Sequence, residues 1–314
     1  MCYNTTIMTL KDVLVHLRLP FSVFLLPIAL LGLHAAGSLN ATRTILIMLI
    51  IHLGVYTASN AFNSYYDRDE SPVGGIRKPP KVDKALLWTS LILEFAVVIV
   101  SLAVSWPFAV GVLVYGLFSK AYSWDRIRWK RKPIVSLFGI ALVQGALVFW
   151  MVALCAGTNA PLAGFGLAAR PAAVAQAVGD RMPELAFGAL VTVLFLLAVY
   201  PLTQVYQHQA DAQRGDLTFS RLVGIPGTFA WAAACMGATA IAFAPYFWVT
   251  VSTRLWLPMI ILAATLLPAM IFFFSWWSKV RQDSQNANFD QTMRMNFLAS
   301  AGLNVGLGLI LAIG

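Results

Sequence analysis

Charge is what this sequence has least of. Of its 314 residues only 11% are Asp, Glu, Lys or Arg, while 59% are hydrophobic; a soluble domain carries roughly 25% charged residues. Mean hydropathy is +0.75, and so large a deficit excludes an ordinary water-soluble domain. Cysteine is scarce too. Cys2, Cys155 and Cys235 are far apart and form no CxxC pair, which argues against a disulfide framework, a zinc site or an iron–sulfur cluster. The four histidines, His16, His34, His52 and His208, are equally scattered. Net charge is +9, yet the basic residues are not gathered on a soluble module, so nucleic acid is not an expected partner. They lie in short segments between apolar runs, as membrane topology requires. Nothing marks an obligatory protein partner.

About 20 apolar residues cross a bilayer. The apolar runs predict helices near 20–37, 43–66, 84–104, 107–123, 133–156, 184–206, 226–246, 255–277 and 293–314. The expected fold is therefore an all-α membrane protein, a bundle of about nine transmembrane helices forming one domain over 1–314. Residues 1–19 are expected as an interfacial segment with an amphipathic stretch from Leu10 to Leu19. Residues 157–183 form a long outer loop. Lys11, Arg18 and the Ala35-Ala36-Gly37-Ser38 stretch imitate a secretory signal, but an uncleaved first helix gives the better charge balance. An inside N-terminus puts 18 Lys and Arg inside and leaves four outside, Arg43, Arg170, Arg181 and Arg254. The N-terminus is thus expected in the cytoplasm and the C-terminus outside. Inner loops 67–83, 124–132, 207–225 and 278–292 hold nine of the 13 acids, so an active site is expected on the cytoplasmic side of a bacterial inner membrane.

Two motifs carry chemistry. The second predicted helix ends with Asn60, Asn63 and Asp67, spaced i, i+3, i+7 on one face. Asp69 and Glu70 follow, before Pro72, Gly74, Gly75, Pro79 and Pro80 break the chain. The sixth ends with Gln204, Gln207 or His208, and Asp211 at the same spacing, ahead of Arg214-Gly215-Asp216. Carboxylate and amide oxygens on two facing helices suit Mg²⁺, which usually shares its coordination with substrate phosphates. Two such clusters could hold a diphosphate and assist its departure. Solvated charges at helix ends would explain either cluster singly, but less well two on one membrane face.

Asn63-Ser-Tyr-Tyr-Asp67-Arg68, the Asp211…Asp216 segment and the nine-helix layout resemble the UbiA superfamily of intramembrane prenyltransferases. Arg18-Leu-Pro20, Tyr122-Ser123 with Arg128 and Lys130, and Arg214-Gly-Asp-Leu-Thr218 resemble further family segments in the same order. The resemblance implies a helical bundle around a lipid-facing cavity with Mg²⁺-bound prenyl diphosphate at its cytoplasmic mouth. It implies transfer to an aromatic or other lipophilic acceptor. Asn63, Asp67, Asp211 and Gln207 become metal and diphosphate ligands; Asn63, Asp67 and Asp211 are the catalytic set. Arg68, Lys120, Tyr122, Arg128, Lys130 and Asp216 become the diphosphate's surroundings. Ser64, Ser71 and Gln207 stand where the family usually has aspartate, which leaves Asp69 or Glu70 to supply the first motif's last carboxylate.

Glu94 lies inside the third span with no evident partner, a functional candidate by default. His208 is expected as a hydrogen-bonding member of its motif, or as a base toward the acceptor. Trp124, Trp129, Arg131 and Lys132 read as an interfacial anchor, while Phe62, Tyr65, Tyr66 and Tyr206 could face a carbocation. A terpene cyclase could use the same ionising site without an acceptor. A secondary transporter would need broken helices at mid-membrane, whereas the polar motifs here lie at one edge. The DGxxAR spacing of a CDP-alcohol phosphotransferase is absent.

Overall fold

The computed structural model describes residues 8–158, 171–251 and 254–313. Residues 159–170 of the expected outer loop, and 1–7 of the expected interfacial segment, lie outside the described residues. The described chain contains nine long helices and two isolated β-bridges: α1 Leu10–Ala36, α2 Ala41–Asp67, α3 Lys84–Ser101, α4 Trp106–Ser123, α5 Pro133–Cys155, α6 Met182–Leu202, α7 Phe219–Thr250, α8 Trp256–Gln282 and α9 Phe289–Ile313. Eight helical stretches are long and apolar enough to cross a membrane. The exception is α4, which carries Ser119, Lys120, Tyr122 and Ser123 on its last turns.

Polar and proline positions set the boundaries. Thr9 and Asp12 form a reciprocal cap on the first turn of α1, the pairing that satisfies exposed backbone N–H groups. Pro20 and Pro27 cannot donate backbone hydrogen bonds. The chain accordingly winds as a 3₁₀ helix over Leu19–Leu25 before resuming as α-helix over Leu26–Ala36. The amphipathic segment ahead of Pro20 packs against α2, with His16 buried and its Nε2 3.0 Å from the Pro80 carbonyl. Helix α7 starts seven residues before the expected 226, because Thr218 and a kink at Gly224 (φ 73°) carry the helix around the proline.

Helix packing follows the rule for bilayers, where small residues let backbones approach. A Cβ on Gly32 of α1 would lie 2.7 Å from Val152 Cβ of α5. At one end Leu39 bridges Gly157, and Arg181 reaches the carbonyls of Ala35 and Ala153. The other end gathers four connections. Arg77 pairs with Asp290, the Tyr206 and Phe289 rings are 5.3 Å apart, and the Gly74 N–H donates to the Tyr206 hydroxyl at 3.1 Å. Between the helices, a cavity of about 240 Å³ opens at this end.

Candidate active site

Each loop at the cavity mouth is shaped by a backbone that aims a charge. Helix α2 ends at Asp67 because Arg68 adopts the left-handed conformation (φ 47°) and returns its N–H to the Ser64 carbonyl. Gly74 and Gly75 then turn the chain at φ 32° and 85°, values that glycine adopts without strain. Gly74 also leaves room for Arg18, since a Cβ there would lie 2.5 Å from Arg18 Nη1. After α4, Arg128 is left-handed and Trp129–Arg131 form a 3₁₀ turn that ends at Pro133. After α6, the short helix His208–Gln213 presents Asp211, and Gly215 at φ 70° turns Asp216 back so that its N–H reaches the Asp211 carbonyl at 2.8 Å.

These loops interlock four carboxylates with basic side chains. Lys130 Nζ binds Asp67 and lies 3.3 Å from Asp216. Arg128 donates to both Asp216 oxygens at 3.1 Å, with its Nη2 3.5 Å from Asp67. Arg131 adds a 3.0 Å contact to Asp216. Arg214 binds Asp69 and donates to Asp211 at 3.1 Å. Burial by itself would raise the Asp216 carboxyl, but Arg128, Lys130 and Arg131 outweigh it and hold the group down at about 2. Burial would likewise lower Arg214, and Asp69 more than compensates, so it is raised. The mouth is therefore a charged network already neutralised from within.

Of the residues predicted from sequence, Asn60, Asn63, Asp67, Asp69, Tyr122, Lys130, Gln207, Asp211 and Asp216 line the cavity. The Asn63 amide donates to Ser123 Oγ at 3.0 Å, and the Tyr122 and Tyr200 hydroxyls are 2.7 Å apart. Other expected residues stand elsewhere. Glu70 and Arg68 are exposed off the cavity wall, with the Arg68 guanidinium 5.9 Å from the Tyr65 ring centre. Lys120, expected at a diphosphate, pairs instead with Glu94 and lies 4.7 Å from the Phe62 ring centre. Glu94 thus has a partner one helix away, which its position in the sequence concealed. Arg128 stands behind the wall, holding Asp216. His208 Nε2 is 2.7 Å from Ser220 Oγ, outside the lining.

The UbiA prenyltransferase family profile matches residues 24–298. The chain belongs to the UbiA prenyltransferase family. Solved structures share its fold. A UbiA homologue from Aeropyrum pernix K1, in the apo form, is 14% identical, with a TM-score of 0.65 over 94% of this chain and 99% of that one. A UbiA homologue from Archaeoglobus fulgidus bound to DMAPP and Mg²⁺ is 15% identical, with a TM-score of 0.64 over 96% and 99%. A digeranylgeranylglyceryl phosphate synthase is 15% identical, with a TM-score of 0.58 over 96% and 97%. No curated protein sequence matches the chain significantly.

Two cations in this UbiA-family site had no role assigned from sequence. Arg214 joins the two acidic motifs. Arg18, the left-handed residue ending the first turns of α1, is 8% exposed and lines the cavity. Its Nη2 donates to Ser64 Oγ at 2.8 Å, its Nε has no partner, and among the described residues no carboxylate lies within 4.0 Å of it. The sequence holds only half of this signal, a serine at 64; that Arg18 faces it, 46 positions away, depends on how α1 packs on α2. Oxygen donors remain for a hard cation. Asn63, Asp67, Asp69 and Asp211 converge on the mouth, and Asp69 Oδ2 is buried without a hydrogen-bond partner. Among the described residues, no three His, Cys, Asp or Glu side chains form a ready-made metal cage; Lys130 and Arg214 stand between the carboxylates.

Proposed function

We propose that the chain transfers a prenyl group from a prenyl diphosphate to a lipophilic, aromatic acceptor inside the membrane, with Mg²⁺ as cofactor. The observation that carries this reading is one cavity with two chemistries: four aspartates and a set of buried cations at its mouth, and apolar side chains such as Phe21, Leu25, Phe195, Leu196 and Val199 on its wall. A diphosphate on a hydrocarbon tail has that same division. The fold likeness to the Archaeoglobus protein bound to DMAPP and Mg²⁺ supports it.

Asn63, Asp67, Asp69 and Asp211 would hold Mg²⁺, with Gln207 beside them, and the ion supplies positive charge against the leaving diphosphate. Arg18 meets the diphosphate directly. A buried guanidinium without an acid is costly until an anion arrives, and a planar guanidinium suits phosphate oxygens. Lys130 and Arg214 exchange part of their carboxylate contacts for phosphate oxygens as substrate enters. The allylic C–O bond then breaks, its electron pair leaving with the diphosphate. Tyr122 and Tyr200 place aromatic rings beside the wall on which the allylic carbon rests. An acceptor carbon donates the new bonding pair, and the acceptor's proton then passes to the released diphosphate. Asp216, enclosed by three cations, positions them and offers no free carboxylate to the substrate.

Purified protein given geranyl diphosphate, Mg²⁺ and a panel of aromatic acceptors should form prenylated acceptor, and should leave the diphosphate intact when no acceptor is present. A cyclic terpene made from geranyl or farnesyl diphosphate alone would overturn transfer in favour of cyclisation. We further place the mouth on the cytoplasmic side of the cell membrane, since most of the 22 basic residues sit on loops at that end. Single cysteines introduced at 248–250 should then react with an impermeant maleimide applied to intact cells, while those at 124–127 should not; the reverse pattern would invert the orientation.

A further inference from the structure

The deep end of the cavity holds polar groups that the diphosphate chemistry leaves unused. Two helices contain a wide turn, α2 over Ile50–Val55 and α5 over Ala141–Leu147, both with π geometry. Such turns interrupt the regular repeat and recur at functional sites. Tyr56 follows the first, Gln144 lies within the second, and both line the cavity. Tyr56 is 2% exposed, and its hydroxyl is buried with no hydrogen-bond partner. The Tyr115 ring from α4 stands 5.9 Å from it, centre to centre, with Gln144 and Ser59 beside the Tyr115 hydroxyl. Ser59 in turn shares a 2.7 Å hydrogen bond with Ser119.

Position separates this group from the mouth. The twelve-residue stretch Tyr56–Asp67 spans about 16 Å at a rise of about 1.5 Å per residue. All the charged wall residues belong to the mouth network or, in the case of Arg18, face Ser64 there. A prenyl tail is hydrocarbon and cannot partner a hydroxyl. A buried, unpartnered hydroxyl is unfavourable, so its presence here calls for a ligand that brings an oxygen. With no Lys or Arg on the cavity wall at this depth, a carboxylate would be buried without compensation.

We propose that Tyr56, Tyr115 and Gln144 form the acceptor-recognition site, taking an uncharged aromatic acceptor by a hydroxyl or carbonyl oxygen and excluding acceptors that carry a carboxylate. The identity of this ligand as an acceptor rests on the prenyl-transfer reading; the oxygen site itself rests on the geometry. Tyr56 donates to the acceptor's oxygen, and Gln144 can donate or accept as the group requires.

Equilibrium binding to the purified protein tests it, with 1,4-naphthoquinone as a neutral oxygen-bearing probe, naphthalene as its oxygen-free counterpart and 1-naphthoate as its charged one. Tyr56→Phe and Gln144→Leu should each weaken naphthoquinone about tenfold. Naphthalene binding and the Mg²⁺-dependent binding of inorganic pyrophosphate should stay unchanged. The melting temperature of Tyr56→Phe should match or exceed the parent's, since the deleted hydroxyl has no partner to lose. Naphthoquinone held equally by parent and variants, naphthalene weakened as much as naphthoquinone, or naphthoate bound as tightly as naphthoquinone would each overturn the proposal. Should the oxygen-dependent difference hold while no acceptor is ever prenylated, the oxygen site stands and the transfer reading falls.

Discussion

Alanine at Asp67 or at Asp211 should lower turnover by about a thousandfold, in the range seen when one preorganised electrostatic group is removed from an active site. Both carboxylates line the cavity and both are held by cations rather than by each other, Asp67 by Lys130 and Asp211 by Arg214. Each variant therefore leaves its cation a second acid, Asp216 for Lys130 and Asp69 for Arg214, and should still purify as a folded protein. Chelation by EDTA should mimic both substitutions. The neighbouring acids should divide. Asp69→Asn should raise the Mg²⁺ concentration needed for half-maximal rate, because Asp69 is 9% exposed and faces the cavity. Glu70→Gln should titrate like the parent, because Glu70 is exposed and off the wall. Full activity in excess EDTA would remove the metal from the mechanism.

Asp216→Ala should damage the protein more broadly. The Asp216 side chain is 1% exposed and receives Arg128, Lys130 and Arg131, of which Arg128 and Lys130 are themselves 5% and 7% exposed. Removing one partner of a buried ionic network leaves uncompensated charge, at a cost of about 3–5 kcal/mol. A lowered melting temperature in detergent and weaker pyrophosphate binding should appear together, because Lys130, one of these cations, also lines the cavity. The acid dependence has a defined sign. Since the carboxyl sits at about 2 against an ordinary 3.8, its contribution to stability is fully present above about pH 4 and is lost as pH falls toward 2. An Asp216→Ala protein that melts like the parent at neutral pH would show that the network is not what holds these loops.

Much of this architecture was readable residue by residue. Asn63 and Asp67 could be placed on one helical face, and Asp211 at the end of another, because a 3.6-residue period is a local property. The concentration of acids and bases at one membrane edge was equally plain, since apolar runs leave polar residues nowhere else to go. What escaped were choices among similar residues. Lys120 and Lys130 are both basic and both near the fourth helix, yet one meets Glu94 inside the bundle and the other meets Asp67 at the mouth. Arg68 adjoins the key aspartate but turns outward, because its left-handed backbone ends the helix. Pro20 and Pro226 look like helix starts in the sequence and are not, because 3₁₀ winding or a kink carries the chain past them.

By itself, the sequence determined the solvent, the helix count and the end of the bundle where charged residues gather. Transfer of apolar side chains from water depends on composition over some twenty residues and needs no knowledge of neighbours. Only the tertiary structure decided which charges meet. Arg18 reaches Ser64 across 46 positions and Arg214 reaches Asp69 across 145, and pairings at such separations are set by how helices stack rather than by local pattern. The unpartnered hydroxyl of Tyr56 belongs to the same class of fact. In the sequence it is one of 9 tyrosines; enclosed among α2, α4 and α5 it becomes a donor without an acceptor, because burial removes the water that would otherwise have satisfied it.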